Sequence, residues 1–205
     1  MIVIRNQAPF DHIIIKDFFS SIAYQEVWDE LVFLRPRMGG PETTGASFNN
    51  QDPKDNKKRG VGVFLDSVYN GLDKSSIFFH TRNLFNDELT KKISDIGKSN
   101  YYFRHWRLEA IQDSIIAQYY DHGDFYKTHT DTALFSAVTT LFQTPKAFNG
   151  GKFVFPEFDY SIDLEDNMTL IFPSVLTHEV EEVSIEKSGY LLGRFSITNF
   201  ITFRS

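Results

Sequence analysis

The stretch that decides the expected fold is Gly193-Arg194-Phe195-Ser196-Ile197-Thr198-Asn199-Phe200-Ile201-Thr202-Phe203. Side chains of a β-strand alternate between its two faces. One face of this stretch therefore carries a cation and two hydroxyls, on Arg194, Ser196 and Thr198. The opposite face is apolar and carries Phe195, Ile197 and Ile201. A strand of this kind is typical of a barrel wall whose polar side lines a cavity and whose apolar side packs against other elements.

The polar face of this strand predicts a binding site for a carboxylate. The planar fork of an arginine holds a carboxylate through two parallel hydrogen bonds, and nearby hydroxyls satisfy the oxygen lone pairs that remain. The alternative interpretation is an ordinary edge strand with Arg194 in solvent.

The second half of the chain, from about residue 101 onward, consists of short β-rich runs at near-regular spacing. We predict six strands, at 114–120, 136–143, 151–155, 168–172, 176–183 and 193–203. Turn-forming residues separate several of them, as in Asn149-Gly150-Gly151 and Glu165-Asp166-Asn167. This pattern favours a β-sandwich or a jelly roll.

The first hundred residues contain the helical signals. The sequence predicts a strand within 9–19, a helix over 22–33, a second strand over 61–68, and a helix that Asn86 or Asp87 caps and Gly97 ends. The polar segment 35–60 is rich in chain-breaking residues and is either a functional lid or a disordered loop. We expect one domain over 1–205, mainly β with flanking helices, in which 1–100 supply the flanking elements and 101–205 the core.

Composition narrows the function classes. The chain has 205 residues, of which 41% are hydrophobic and 23% charged, so it is expected to fold. Its formal net charge of −6 argues against a primary nucleic-acid binder. The absence of cysteine excludes disulfides, thiolate metal sites and a cysteine nucleophile. With neither a signal peptide nor a run of about 18 apolar residues, we expect a soluble, cytoplasmic protein without a membrane partner.

Two histidines and a carboxylate form the one constellation with recognisable chemistry. In His129-Thr130-Asp131 the two outer side chains project to the same side of an extended segment, and His178 belongs to a later strand on an apolar, inward-looking face. Two imidazoles and one carboxylate leave three positions of an octahedral ferrous ion open, whereas zinc more often closes tetrahedrally. A lone His-x-Asp motif is weak evidence. The other four histidines show no such arrangement.

The surrounding sequence resembles a known family. Tyr120-Asp121-His122-Gly123-Asp124-Phe125-Tyr126-Lys127-Thr128-His129-Thr130-Asp131 is similar to a stretch of the 2-oxoglutarate- and Fe(II)-dependent oxygenases of the prolyl 4-hydroxylase type. The resemblance continues through Asn149–Pro156, the region of His178 and the strand of Arg194, and covers about residues 101–203. Many collagen-modifying members have a lysine in place of Arg194, so the resemblance is closer to the oxygen-sensing and bacterial branch.

This resemblance implies a fold, a set of cofactors and a set of site residues. The fold would be a double-stranded β-helix, a jelly roll of cupin-like form, with Fe(II), 2-oxoglutarate and O₂ as reactants and ascorbate as a further cofactor. His129, Asp131 and His178 would bind iron, and Arg194 would pair with the distal carboxylate of 2-oxoglutarate. The rest of the cosubstrate pocket would comprise Tyr120, Leu141, Ser196 and Thr198. The positions facing the substrate would be Tyr126 and Phe200.

The substrate that the resemblance implies is a proline-containing peptide or protein, hydroxylated with release of succinate and CO₂. The alternatives are hydroxylation of another protein side chain or of a free amino acid, and a non-catalytic metal-binding jelly roll. Trp106 is a further aromatic that could pack a pyrrolidine ring, although a core position is favoured. The basic run at 54–59 could meet an acidic peptide, but a solvated loop is favoured.

Overall fold

The computed structural model describes residues 1–44, 57–97, 103, 106 and 110–203. Within these residues the helices form one layer, and two antiparallel sheets form the other two. The α-helices are α1 (Ser21–Leu34), α2 (Leu65–Val68), α3 (Ser76–Thr81) and α4 (Asp87–Gly97). Single 3₁₀ turns occur at Arg35–Arg37, Leu72–Lys74, Arg82–Phe85 and Pro156–Phe158.

The strands are divided between a large sheet and a smaller one that faces it. The large sheet has the order β1-β2-β10-β6-β13-β4-β3, the smaller one the order β5-β11-β8-β9, and β12 pairs with β7 beside it. The strands of the large sheet are β1 (Ile2–Asn6), β2 (His12–Lys16), β3 (Val61–Phe64), β4 (Ala110–Tyr120), β6 (Phe135–Phe142), β10 (Met168–Pro173) and β13 (Arg194–Phe203). The others are β5 (Tyr126–His129), β7 (Asn149–Gly150), β8 (Phe153–Phe155), β9 (Tyr160–Ile162), β11 (His178–Val180) and β12 (Val183–Ser184).

This arrangement confirms the predicted fold class, a mainly β protein with a jelly-roll core and flanking helices. Strands from the first hundred residues extend the large sheet at both edges, because β2 pairs with β10 and β3 pairs with β4. The helices cover the outer face of the large sheet, and its inner face looks toward the smaller sheet.

Each face of the large sheet has its own hydrophobic core. The core on the helix side joins α1, α3 and α4 to the sheet and includes Val27, Ile77, Leu89, Phe195 and Ile197. The core between the two sheets includes Val138, Phe153, Phe155, Phe172 and Val180. Both faces of the central strands are therefore buried, which explains the continuous burial along β6 and β10.

Local capping explains where two helices begin. The Ser20 hydroxyl accepts a hydrogen bond from the Ala23 N–H at the start of α1, and the Asn86 side chain does the same for the Leu89 N–H at α4. Both helices were predicted, α4 with the observed cap and end, and α1 one residue shorter at each end.

Several strand predictions need correction. The stretch 61–68 is a strand only to Phe64, after which one helical turn buries Leu65. The stretch 9–19 forms a strand only over 12–16, and 176–183 divides into β11 and β12. The sequence did not predict β1, β5, β7 or β9, and residues 149–150 of β7 were predicted to be part of a turn. Tyr126–His129 carries little apolar alternation and depends on pairing with β11. Of the segment 35–60, predicted to be a lid or a disordered loop, residues 45–56 lie outside the described residues.

Gly150 provides a test of the turn that leads into the smaller sheet. Its φ of +68° and the approach of an added Cβ to the Glu182 carbonyl oxygen both disfavour a side chain. We expect Gly150→Ala to lower the free energy of unfolding by at least about 2 kcal/mol, measured by urea denaturation. Gly123→Ala is the matched control, because Gly123 has a φ of +78° but an added Cβ would meet only Arg59 Nη1, at an ordinary van der Waals distance of 3.7 Å. Equal losses in the two variants would contradict this explanation.

Candidate active site

Strand β13 brings the predicted polar face into the space between the two sheets. It lies between β6 and β4, so it is a central strand and not an edge strand. Ser196, Thr198 and Phe200 line a pocket there, whereas Phe195 and Ile197 pack on the helix side. Arg194 shares the pocket face, and its residue is only 2% exposed. The alternative with Arg194 in solvent is therefore wrong.

The pocket also contains His129, Asp131 and His178, which we call the triad. Each contributes one ligand atom, and these atoms lie within 4.8 Å of one another. His129 Nε2 is 3.8 Å from Asp131 Oδ1, and His178 Nε2 is 3.5 Å from Asp131 Oδ2. β5 ends at His129 and β11 begins at His178, and these two residues are paired across the strands. Strand pairing thus brings donors that are far apart in the chain into one compact set.

Backbone carbonyls orient both imidazole rings. His129 Nδ1 donates to the Lys127 carbonyl and His178 Nδ1 donates to the Leu176 carbonyl, each at 2.9 Å. The Nε2 lone pairs are therefore left for a metal. Burial lowers the pKa of each ring to about 4, so both are neutral at pH 7 and release no proton when a metal binds.

A hydroxyl pair holds the carboxylate of the triad. The Ser136 hydroxyl donates to Asp131 Oδ2 at 2.5 Å and lies 2.8 Å from the Ser174 hydroxyl. Burial raises the pKa of Asp131, and the Ser136 hydrogen bond opposes that rise. Neither serine was predicted from the sequence as part of the site. The only indication in the sequence was a hydroxyl side chain within a largely apolar strand, for Ser136, or directly after one, for Ser174.

The pocket has about 510 Å³ of space between its walls, part of it open to solvent. The cavity volume itself is about 70 Å³, below the roughly 300–1,000 Å³ range of small-molecule sites. Besides the triad, its walls comprise Thr44, Lys58, Phe64, Ile116, Gln118, Tyr120, Tyr126, Val138, Phe153, Val180, Ser196, Thr198 and Phe200. The triad is the only group of three or more possible metal ligands found among the described residues.

Arg194 lies next to this pocket without lining it. Its Nη1 donates to the Gly151 carbonyl, and its guanidinium carbon is 5.2 Å from the centre of the Tyr120 ring. Its Nε and Nη2 are buried and have no hydrogen-bond partner within the described part of the chain. Burial lowers the pKa of Arg194. A buried guanidinium with two unused donors fits a carboxylate ligand, because such a cation is otherwise costly.

The predicted cosubstrate residues divide into two groups. Tyr120, Ser196 and Thr198 line the pocket, but Leu141 does not, and its assignment is wrong. Leu141 pairs with Phe195 and belongs to the helix-side core, because directly paired residues of adjacent strands project to the same face. Val138, which pairs with Thr198, lines the pocket instead.

The predicted substrate-facing residues both line the pocket. The Tyr126 ring stacks on the His129 ring, with centroids 3.6 Å apart and planes 13° apart. Burial raises the pKa of Tyr126 to about 12, so its hydroxyl keeps its proton at pH 7. Phe200 lies further along β13 on the same face as Thr198. Trp106 is 1% exposed and packs against Phe135 in the helix-side core, so it does not contribute to the pocket.

Comparison with known proteins agrees with this site. Residues 115–202 match the 2OG-Fe(II) oxygenase superfamily. This match spans less than half of the chain and includes the triad and Arg194. The similarity supports hydroxylation chemistry with Fe(II), 2-oxoglutarate and O₂. The triad fits iron binding. No curated protein matches the chain.

Three solved structures show the same fold. A prolyl-4-hydroxylase from Pseudomonas putida has 16% identity and a TM-score of 0.57, with 95% of this chain and 93% of that chain covered. A viral collagen prolyl hydroxylase from Paramecium Bursaria Chlorella virus-1 has 13% identity and a TM-score of 0.53, with 93% and 96% covered. OsALKBH1 has 13% identity and a TM-score of 0.52, with 92% and 96% covered. At these identities the likeness establishes the fold alone.

Among the described helices, none combines the length and the apolar character that a membrane span requires.

Proposed function

We propose that this protein is a prolyl 4-hydroxylase that acts on proline-containing peptides or proteins. One C–H bond of the proline, O₂ and 2-oxoglutarate would yield hydroxyproline, succinate and CO₂. One oxygen atom of O₂ goes to the C–OH group and the other to succinate. Two electrons come from the substrate C–H bond and two from oxidative decarboxylation of 2-oxoglutarate.

His129, Asp131 and His178 would hold the ferrous ion. When bound, the ion supplies the redox chemistry that couples decarboxylation of 2-oxoglutarate to hydroxylation. The chain supplies two neutral imidazoles whose Nε2 atoms are presented to the ion and one carboxylate kept in place by Ser136. With only three protein ligands, the site would leave coordination positions for the other reactants.

Arg194 would bind the distal carboxylate of 2-oxoglutarate through its unpaired Nε and Nη2 donors. Tyr120, Ser196 and Thr198 extend from the triad toward Arg194 along the inner wall of the pocket. Burial raises the pKa of Tyr120, so its hydroxyl remains protonated and able to donate. A cosubstrate bound between these groups and the triad would be fixed at both ends.

Tyr126 and Phe200 would pack against the pyrrolidine ring of the substrate. Both line the pocket that contains the triad, and the Tyr126 ring is already stacked on His129. Two proteins of the same fold are described as prolyl hydroxylases, which supports a proline substrate here. Proline in an extended peptide is also preorganised, so it loses little entropy on binding.

The observation that carries the cosubstrate assignment is the buried Arg194 guanidinium next to the pocket, of which Nε and Nη2 have no hydrogen-bond partner in the described residues. We expect protein loaded anaerobically with Fe(II) and then exposed to air to release succinate from 2-oxoglutarate. Proline-rich peptides should increase that rate and gain 16 Da on proline, and omission of ascorbate tests its proposed role as a supporting reductant. Absence of both succinate and 2-oxoglutarate binding would contradict the oxygenase assignment, whereas succinate without modified proline would contradict only the substrate.

A second candidate is hydroxylation of a free amino acid or of another protein side chain. The observation that favours it is the buried cation Lys58 in the pocket wall, which would suit an α-carboxylate. Dependence of turnover on peptide length separates the two candidates.

The single-domain assignment for 1–205 also remains a proposal. It is supported by β1, β2 and β3, which extend the sheet that carries the site.

A further inference from the structure

Lys58 is a buried cation in the wall of the pocket. The residue is 2% exposed and lines the pocket that contains the triad. The basic run at 54–59 was predicted to be a solvated loop, and for Lys58 that prediction is wrong. Its neighbour Lys57 is exposed, so of the two lysines of the run that the structure describes only Lys58 is buried.

Backbone pairing fixes the position of Lys58. It forms a β-bridge with Tyr126, and on either side the Lys57 carbonyl and the Arg59 N–H bond to the backbone of β5 and the residue before it. The chain then continues to β3, at the edge of the large sheet. The segment containing Lys58 therefore runs from one sheet to the other along the side of the pocket.

The Lys58 ammonium group lies near the triad. Its nitrogen is 5.1 Å from the centre of the Tyr126 ring, and that ring stacks on His129. Its charge contributes to the lowered pKa of His129. Arg194, in contrast, lies over the Tyr120 ring and bonds to Gly151. The two cations thus occupy different parts of the site.

The ammonium has neither a hydrogen-bond nor an ion-pair partner in the described residues. The acid that acts on it most is Asp124, but the Asp124 carboxylate accepts a hydrogen bond from the Asp121 N–H at 2.8 Å and also faces Arg35 and Arg59. Burial lowers the pKa of Lys58 to about 8, so it is still mostly protonated at pH 7. A buried charge without a partner is costly, and it is retained more readily where a ligand supplies the counter-charge.

When the formal charges of the proposed site are added up, the positive charge of Lys58 is not matched by a negative one. Two positive charges on Fe(II) and one on Arg194 are matched by one negative charge on Asp131 and two on 2-oxoglutarate. The assembled site with its cosubstrate is neutral without Lys58. An anionic group on the other reactant would supply a counter-charge for this remaining cation.

We propose that Lys58 binds a carboxylate of the substrate, next to the carbon that is hydroxylated. The proposal rests on the proposed function only in that it requires a substrate distinct from 2-oxoglutarate. The carboxylate could come from an Asp or Glu side chain beside the target residue, or from the α-carboxylate of a free amino acid. Both sources present the same chemistry to the ammonium group.

The experiment compares wild type with Lys58→Met, which keeps the length and apolar stem of the side chain. Lys57→Met is the matched control at the exposed neighbour, and Lys58→Arg retains the charge. The probes are a peptide pool Ala-X-X-Pro-X-X-Ala and the pair L-proline and L-prolinamide. Anaerobic binding to protein loaded with Fe(II) and 2-oxoglutarate is measured by retention of each probe, and succinate release in air is measured separately.

We expect wild type to retain the carboxylate-bearing members about 10- to 100-fold more than their amide counterparts. Lys58→Met should abolish this preference, whereas Lys57→Met should keep it. Enrichment of Asp or Glu in the pool identifies a side chain as the source, and preference for L-proline over L-prolinamide identifies the α-carboxylate. The KM for 2-oxoglutarate should change less than about 2-fold in Lys58→Met, because Arg194 and not Lys58 would bind the distal carboxylate of 2-oxoglutarate.

Three results would overturn the inference: no carboxylate preference in any wild-type pair, a preference that survives in Lys58→Met, or a rise in the KM for 2-oxoglutarate in Lys58→Met. Failure of the proposed function has a different signature. If wild type releases no succinate, the oxygenase assignment fails whatever the binding result. If carboxylates are bound selectively but proline is not modified, the substrate assignment fails and the role of Lys58 stands.

Discussion

Replacing His178 with alanine is expected to weaken Fe(II) binding by at least about 100-fold and to abolish succinate release. Loss even of a residue that only supports a metal ligand typically costs roughly 10- to 100-fold in affinity or activity, so loss of a ligand should cost no less. His178 is 2% exposed, and its ring is held by the Leu176 carbonyl, so no other group can replace it without rearrangement. Fe(II) binding is measured anaerobically by calorimetry, and succinate by mass spectrometry.

The matched control for this variant is His122→Ala. His122 is an exposed histidine whose ring accepts a hydrogen bond from the Ile185 N–H and which is not part of the triad. It should bind Fe(II) like wild type. Equal loss of Fe(II) binding in the two variants would show a general effect on folding, and unchanged binding in His178→Ala would exclude His178 as a ligand.

Replacing Arg194 with methionine is expected to weaken binding of 2-oxoglutarate by about 100-fold while Fe(II) binding is retained. Two hydrogen bonds to a charged group contribute about 1.5–3 kcal/mol each, and a loss of about 2.7 kcal/mol corresponds to 100-fold. Methionine fills most of the buried space and removes a charge that has two unpaired donors. Folding should therefore survive, because removal of an uncompensated buried charge offsets much of the lost packing.

The distal carboxylate is tested with 2-oxovalerate, which lacks that group but has the same number of carbon atoms. Wild type should prefer 2-oxoglutarate over 2-oxovalerate by about 100-fold, and Arg194→Met should bind both about equally. Arg82→Met, the same change at an exposed arginine, is the control. A preference that persists in Arg194→Met would mean that another group holds the carboxylate.

The polar face of β13 was accessible from the sequence because it depends on a local rule. Alternation along a strand needs no knowledge of neighbours, so the separation of Ser196 and Thr198 from Phe195 and Ile197 is readable from the sequence. The same holds for α4, because its cap Asn86 and its last residue Gly97 lie at the two ends of the helical segment itself.

Leu141 shows where that rule stops. Its assignment to the pocket required the register of β6 against β13, which nothing within β6 specifies because all eight of its residues are buried. Because Leu141 pairs with Phe195, its side chain points toward the helices. Val138 lies on the opposite face of the sheet, toward the pocket.

Lys58 and Ser136 were beyond the sequence for a related reason. A lysine in a run of charged residues has the signature of a solvated loop, and only pairing with Tyr126 buries it. Ser136 contacts Asp131 because β6 pairs with β10. Just after β10 ends, the Ser174 carbonyl accepts a hydrogen bond from the Asp131 N–H and so holds Asp131 near Ser136. These contacts join residues from separate segments, and their geometry is set by the sheet.

The sequence by itself determined the donor types, the alternation of β13 and the mainly β character, because these follow from residue chemistry and from periods of two and 3.6 residues. The tertiary structure alone decided that His129 and His178 meet across β5 and β11, that Arg194 is buried with two unused donors, and that Lys58 faces the pocket. The physical reason is that proximity, burial and the charge balance of a site depend on packing between distant segments, and no local pattern encodes them.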